Sequence, residues 1–152
     1  MNDYDLIPIY GRKIENRDFN DNGLDDIVVT TDGDDLIALV YDDGTMDTLL
    51  IAGDKFKSSP SIAQVDGNYV IMAGSYDNNM YAVSPSGEGL FQIETGGDVN
   101  SSASFVNIDG EAYAFFGSDD GFIYAVDMQG DNLAGWPQEV GDDVENSVSF
   151  AD

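Results

Sequence analysis

Cysteine and histidine are both absent from the 152-residue chain. Without cysteine there is no disulfide and no thiolate metal site. Without histidine the usual general base, the usual zinc ligand and the Ser/His/Asp triad disappear together. Positive charge is scarce as well. Only 5 Lys and Arg stand against 30 Asp and Glu, a formal net charge of −25. Phosphate backbones and anionic membranes would meet repulsion, so neither nucleic acid nor membrane insertion is expected. Cations are the natural small partners; the competing reading of the acidity is solubility, or a salty medium that screens charge. No run approaches the roughly 20 apolar residues of a spanning helix. The opening MNDYDLIPIYG lacks the basic, apolar and small-residue order of a signal peptide, so a secreted parent would carry its signal outside this chain.

What is present suffices for one packed domain: 42% of residues are hydrophobic and 11% aromatic. Asp dominates over Glu, and Asp is the carboxylate of turns and loops.

A repeat organises the chain. Ser58-SPSIAQVDGNYVIMAGSYDNNMYAVSPSGEG matches Ser101-SASFVNIDGEAYAFFGSDDGFIYAVDMQGDN. Asp66-Gly67 returns as Asp109-Gly110, Gly74-Ser75 as Gly117-Ser118, Tyr81-Ala-Val as Tyr124-Ala-Val, and Gly87 as Gly130. In the first unit Asn22-Gly23 aligns with Asp66-Gly67, and Leu36-Ile-Ala-Leu with Met80-Tyr-Ala-Val. Asp98 to Phe105 recurs as Asp143 to Phe150, the start of a fourth unit. Within each unit, short β-branched and aromatic runs alternate with Asp-Gly, Ser-Gly or Asn-Asn punctuation, which is hairpin chemistry. Strands are predicted over 59–65, 68–73, 79–83 and 90–95 in the second unit. In the third they fall over 102–108, 111–116, 122–127 and 136–140. No window has helical periodicity.

Four antiparallel strands in about 40–45 residues predict an all-β fold, a β-propeller segment of about three four-stranded blades plus a strand of a fourth. The blades span roughly 12–57, 58–100 and 101–146, and 147–152 starts another. A β-sandwich is the weaker alternative, because it does not require units to match at a fixed offset.

Two propeller repeats are similar to parts of this chain. Gly117-Ser-Asp-Asp-Gly-Phe-Ile-Tyr-Ala-Val126 and Gly74-Ser-Tyr-Asp-Asn-Asn-Met-Tyr-Ala-Val83 resemble the quinoprotein-type (PQQ-like) blade. Ala134-Gly-Trp-Pro137 with Val144 to Asp152 resembles the FG-GAP/VCBS-type repeat, and Asp18 to Asp26 resembles its calcium loop. Together the likeness covers roughly residues 12–152. The repeat tryptophan of quinoprotein propellers is largely missing: only Trp136 is present, with Phe91 where a second would stand. No residue set for a quinone is visible, so no quinone is expected. The fold implied serves enzymes, adhesins, scaffolds and receptor heads alike.

The stretch DFNDNGLDD, residues 18–26, is the motif that could carry chemistry. It holds four aspartates and two asparagines in nine residues. Asp18, Asn20 and Asn22 stand at positions 1, 3 and 5 of a D-x-[DN]-x-[DN]-G loop, and Gly23 takes the sharp turn. Leu24 at position 7 offers a backbone carbonyl and Asp26 at position 9 a carboxylate. Ca²⁺ is a hard ion that takes 6–8 oxygen ligands, which alternating side chains on a tight loop supply. Position 12 is Val29, so the loop is not an EF-hand. The plain alternative is an Asx-rich hairpin without an ion. The second and third units use the shorter Gln64-Val-Asp-Gly67 and Asn107-Ile-Asp-Gly110, and this favours calcium: a turn alone would not need the longer, oxygen-rich loop. Asp152 would be the first ligand of a fourth-unit loop.

Other clusters read as structure. Asp32, Asp34, Asp35, Asp42, Asp43, Asp119 and Asp120 are expected in solvated turns, and nothing singles out two of them as a glycosidase pair. Tyr76, Tyr81, Tyr113 and Tyr124 read as blade packing, and Trp136-Pro137 as a blade edge. Arg12, Lys13 and Arg17 are expected to pair with nearby carboxylates. The expectation is a non-catalytic extracellular or cell-surface binding or structural module with one calcium-stabilised loop and a protein or glycan ligand. The alternatives are a self-assembling propeller fragment without a ligand, associating through edge strands or further blades, and a piece of a larger propeller enzyme with its catalytic residues elsewhere.

Overall fold

The computed structural model describes residues 15–150. They form three four-stranded antiparallel sheets, with no helix among the described residues. Sheet 1 holds β1 (Glu15–Arg17), β2 (Asp26–Thr30), β3 (Leu36–Val40) and β4 (Met46–Ile51). Sheet 2 holds β5 (Ser61–Val65), β6 (Asn68–Ser75), β7 (Asn79–Val83) and β8 (Gly89–Glu94). Sheet 3 holds β9 (Ser104–Ile108), β10 (Glu111–Gly117), β11 (Phe122–Asp127) and β12 (Gln138–Glu139). Each sheet is a meander in which sequence neighbours pair. The chain is thus an all-β, open propeller-like segment.

Turn chemistry explains the meanders. Asp66-Gly67 and Asp109-Gly110 have positive φ at both positions (51° and 82°; 54° and 93°), the backbone twist that joins two strands through two residues. The β3–β4, β7–β8 and β11–β12 connections place Gly44, Gly87 and Gly130 at φ 85°, 81° and 89°. In each, the glycine N–H reaches back three residues: to Tyr41 O at 2.9 Å, to Ser84 O at 3.0 Å and to Asp127 O at 3.2 Å.

Burial follows the strand period of two. Sheet 2 is covered on both faces, so β6 reads as an almost unbroken apolar run. Its Ile71 and Ala73 meet Val28, Ile37, Leu39 and Leu49 of sheet 1. Its Val70 and Met72 meet Ala114, Phe116 and Val126 of sheet 3. The linkers between sheets are pinned into these cores. Phe56 N–H bonds Thr31 O at 3.1 Å and Val99 N–H bonds Ser75 O at 3.0 Å, and both side chains are fully buried. After sheet 3, Val144 N–H bonds Ser118 O at 3.1 Å in the same way, yet Val144 is only half-buried.

Serine and glycine make the seam beneath each linker. Ser58 Oγ accepts Gly74 N–H at 2.6 Å and donates to Gly74 O at 3.0 Å. Ser101 Oγ does the same at Gly117, at 2.7 and 3.0 Å. A Cβ on Gly74 would overlap Val99, and one on Gly117 would overlap Val144. Only glycine admits the linker this close.

Three details differ from the sequence expectations. Leu36 does not stand at the Met80 position. Asp35, Asn78 and Gly121 share one left-handed turn position, and their carbonyls accept Ala52, Thr95 and Val140 N–H. Leu36 therefore corresponds to Asn79, and Ile37 to Met80. The reason is an extra turn residue in sheet 1, where Thr31 N–H reaches Leu36 O but Ser75 pairs directly with Asn79. β12 covers only Gln138–Glu139 of the predicted 136–140, because Pro137 has no N–H to give a ladder. Residues 147–150 form no strand pairing among the described residues. They lie against sheet 3, where Ser104 Oγ donates to Val148 O at 2.5 Å.

Candidate functional site

The loop between β1 and β2 spans residues 18–25, where sheets 2 and 3 use only residues 66–67 and 109–110. Its shape comes from its own side-chain oxygens. Asp18 Oδ1 accepts Asn22 N–H at 3.1 Å, and Oδ2 accepts Gly23 N–H at 2.7 Å. Asn20 Oδ1 shares the Asn22 N–H at 3.1 Å. Asn22 Oδ1 accepts Leu24 N–H at 2.8 Å, while its Nδ2 donates to Asp42 Oδ1 at 2.7 Å. Asp21 and Gly23 take the left-handed positions, φ 57° and 87°. Asp18, Asn20 and Asn22 are thus gathered on one tight turn, and the Leu24 side chain points outward at 58% exposure.

Asp26 lies elsewhere in character. It opens β2 and is fully buried. Oδ2 accepts Phe19 N–H at 2.9 Å and Oδ1 accepts Asp42 N–H at 3.2 Å. It ties the head of the loop to the β3–β4 turn.

The donor set suits a hard cation. It is oxygen only, and each Asp18 oxygen spends one lone pair on an amide and keeps another. No group of three His, Cys, Asp or Glu side chains converges as metal ligands among the described residues. A cation here would therefore rest on two carboxylates, two amide oxygens and the Leu24 carbonyl. Asp152, the other ligand candidate, and the basic Arg12 and Lys13 lie outside the described residues.

Beside the loop an open cleft of about 520 Å³ runs between sheets 1 and 2, lined by Phe19, Asn20, Tyr41, Tyr69, Pro85 and Glu88 among others. Phe19 meets Tyr69 edge-on, with ring centroids 5.1 Å apart.

The turn carboxylates are more structural than their spacing suggested. Asp77 Oδ2 accepts Gly53 N–H from the preceding linker at 2.8 Å and Tyr81 O–H at 2.6 Å. Asp120 Oδ2 accepts Gly96 N–H at 2.7 Å and Tyr124 O–H at 2.6 Å. Each is a clamp from one sheet onto the linker of the sheet before it. Burial pushes both carboxyls up, but the hydrogen bonds outweigh it and hold them below the ordinary Asp value. Burial and the same carboxylates push the Tyr81 and Tyr124 hydroxyls well above theirs. Asp120 is therefore a tie between sheets and not a solvated turn residue. The signal was in the sequence: Gly53/Gly96, Asp77/Asp120 and Tyr81/Tyr124 keep one spacing. Sheet 1 has Ala38 where the tyrosine would stand, and the linker that would precede it lies outside the described residues.

Asp119 is the reverse case. Oδ2 accepts Asn100 Nδ2 at 2.8 Å, but Oδ1 is buried with no partner among the described residues. Burial raises its pKa most, and Asp143, Asp98 and Glu145 add repulsion. At the corresponding turn of sheet 1, Asp32 instead receives Lys57 Nζ at 2.5 Å. Tyr76 lies under Lys55, whose Nζ stands 4.6 Å from the ring centroid. Neither a scan against protein-family models nor a search of the curated proteins returns a match for this chain.

Proposed function

We propose that this chain is a non-catalytic binding or structural module of propeller type, working outside the cell or at its surface, with one calcium ion stabilising the first hairpin. The observation that carries the reading is the β1–β2 loop. Where sheets 2 and 3 turn in two residues, sheet 1 spends residues 18–25 and gathers Asp18, Asn20 and Asn22 oxygens on one turn. The resemblance of this stretch to the FG-GAP/VCBS calcium loop, and of later units to PQQ-like blades, supports the same reading. Asp18, Asn20 and Asn22 would supply side-chain oxygens, Leu24 its carbonyl and Asp26 its carboxylate.

The calcium would hold the loop shut, which locks β1 onto β2. The cleft between sheets 1 and 2 lies beside it and is where a protein or glycan ligand would be placed. A catalytic role has little to stand on. There is no His or Cys, and the best-positioned carboxylates, Asp77 and Asp120, serve the sheet clamps.

A second reading, the ion-free hairpin, is favoured by one fact: the loop oxygens already accept the loop's own amides. Titration calorimetry separates the two. The proposal expects one saturable calcium site that Asp18→Ala removes; no saturable heat, or heat unchanged in Asp18→Ala, would establish the hairpin.

A further inference from the structure

We infer that the cleft between sheets 1 and 2 holds a lysine or arginine side chain of an extended partner peptide. This deepens the binding-module reading by naming the ligand class of its cleft, and it rests on that reading. The lining residues are strands and turns of sheets 1 and 2, so the site does not depend on where the sequence begins or ends.

The repeat supplies an internal comparison. Tyr41, Ser84 and Asp127 hold one turn position, since each carbonyl accepts the glycine N–H three residues on. Tyr69 and Ala112 hold one strand position, opposite Gln64 and Asn107. Phe19 belongs to the longer loop that sheets 2 and 3 replace with two residues. The junction of sheets 1 and 2 therefore brings Phe19, Tyr41 and Tyr69 to its mouth. The junction of sheets 2 and 3 has Ser84 and Ala112 at the matching places, and it packs without those rings. Packing of the sheets alone does not call for three aromatics at the first junction.

The rings are placed to receive something. Phe19 and Tyr69 stand nearly perpendicular, at 78° and 5.1 Å between centroids. Tyr41 donates its O–H to Asp47 Oδ2 at 2.8 Å, which holds the ring in place. All three side chains are only half-buried. Aromatic faces attract ammonium and guanidinium groups.

Charge selects the ligand. Glu88 lines this cleft and no Lys or Arg does so among the described residues. The net charge of −25 draws cations toward it and repels anions. A long basic side chain can lay its apolar stem on the rings and turn its charged head to Glu88. Shape then separates a peptide from a free cation. A second cleft of about 540 Å³ shares Asn68, Tyr69, Ser84 and Glu88 with the first, and it continues past Asp66 to Met128 of sheet 3. A small ammonium ion would fill one cleft, whereas an extended chain crosses both.

Fluorescence anisotropy in EDTA and about 0.15 M salt, where charges beyond roughly 8 Å are screened, tests this with a labelled arginine-glycine repeat peptide. The peptide should bind saturably. Tyr41→Ser and Tyr69→Ala install residues that the repeat carries at the matching places, so both variants should fold. Each should weaken binding roughly tenfold, the reach of a desolvated cation–π contact. Glu88→Gln should weaken it as well, whereas Asp109→Asn, which removes one charge from an exposed turn of sheet 3, should not. Tetramethylammonium should compete only weakly. No saturable binding, equal losses in Glu88→Gln and Asp109→Asn, or full competition by tetramethylammonium would overturn the inference. If the neutral oligosaccharide maltohexaose binds where the peptide does not, and Tyr41→Ser abolishes that binding, the inference falls while the cleft remains a ligand site. If neither ligand binds, the cleft loses its place in the binding-module reading too. Because calcium is absent throughout, none of these results bears on the calcium site.

Discussion

Tyr81 Oη donates to Asp77 Oδ2 at 2.6 Å, and the same oxygen takes the Gly53 N–H at 2.8 Å. One carboxylate therefore joins a strand of sheet 2 to the linker leaving sheet 1. Hydrogen bonds to charged groups contribute about 1.5–3 kcal/mol when buried. Asp77 is partly solvated, so Tyr81→Phe should cost about 1 kcal/mol, a fall of roughly 2–4 °C in melting temperature. Tyr124→Phe should match it through Asp120. In a double-mutant cycle Tyr81→Phe and Asp77→Asn should be non-additive, because they remove one contact. Full additivity would contradict the clamp.

The clamps also set an acid limb. Asp77 and Asp120 carry folded pKa values held below the ordinary Asp value. The unfolded chain therefore binds protons first as pH falls. Their contribution is fully present above the unfolded Asp pKa of about 3.9 and is lost as pH drops through the lowered folded values. Urea titrations from pH 5 downward should show stability falling in wild type, with a shallower slope in Asp77→Asn.

Asp119 has the opposite sign. Its folded pKa is raised, so the folded state takes up a proton more readily and the charged form is a cost at neutral pH. Asp119→Asn removes the charge facing Asp98, Asp143 and Glu145 and keeps an oxygen for Asn100. It should raise the neutral-pH melting temperature by about 1–3 °C, and the gain should shrink as wild type is acidified through its raised folded value. A lower melting temperature at pH 7 would show that the carboxylate is held by something favourable.

Gly74 and Gly117 stand at equivalent seams, yet their linkers differ in freedom. A Cβ on Gly74 meets Val99, trapped between two sheets; one on Gly117 meets Val144, which has a sheet on one side only. Gly74→Ala should cost about 3 kcal/mol, at the upper end of overpacking, and Gly117→Ala about 1 kcal/mol. Equal costs in chemical denaturation would mean that Val144 is as confined as Val99.

The fold was legible because periods and turns agreed. The Asp-Gly pairs at 66–67 and 109–110 announced their hairpins, and the strand over 68–73 was marked by its apolar run, while its burial on both faces emerges only from the packing of sheets 1 and 3. The one-residue shift at Leu36 was invisible, because Leu-Ile-Ala-Leu fits Met-Tyr-Ala-Val in either register and only the turn bonds decide. Within the candidate site, Asp18, Asn20 and Asn22 stand on one turn held by the loop's own hydrogen bonds. Sequence could not show that Asp26 is buried, since a carboxylate next to Ile-Val-Val reads as a loop end. Nor could it separate Asp120, tied to Tyr124 and Gly96, from its neighbour Asp119: adjacent aspartates look alike until the strand sends one toward the linker.

The most direct test is a thermal melt of the intact chain with calcium, with magnesium and with EDTA, repeated on Asp18→Ala. At a hundredfold excess over its dissociation constant, a bound ion adds about 2.7 kcal/mol, or roughly 5–10 °C. The account predicts that calcium raises the wild-type melt by that order, that magnesium does much less, and that Asp18→Ala abolishes the calcium rise. Coincident melts, or an equal rise in wild type and Asp18→Ala from either ion screening the acidic surface, would contradict a calcium site at DFNDNGLDD.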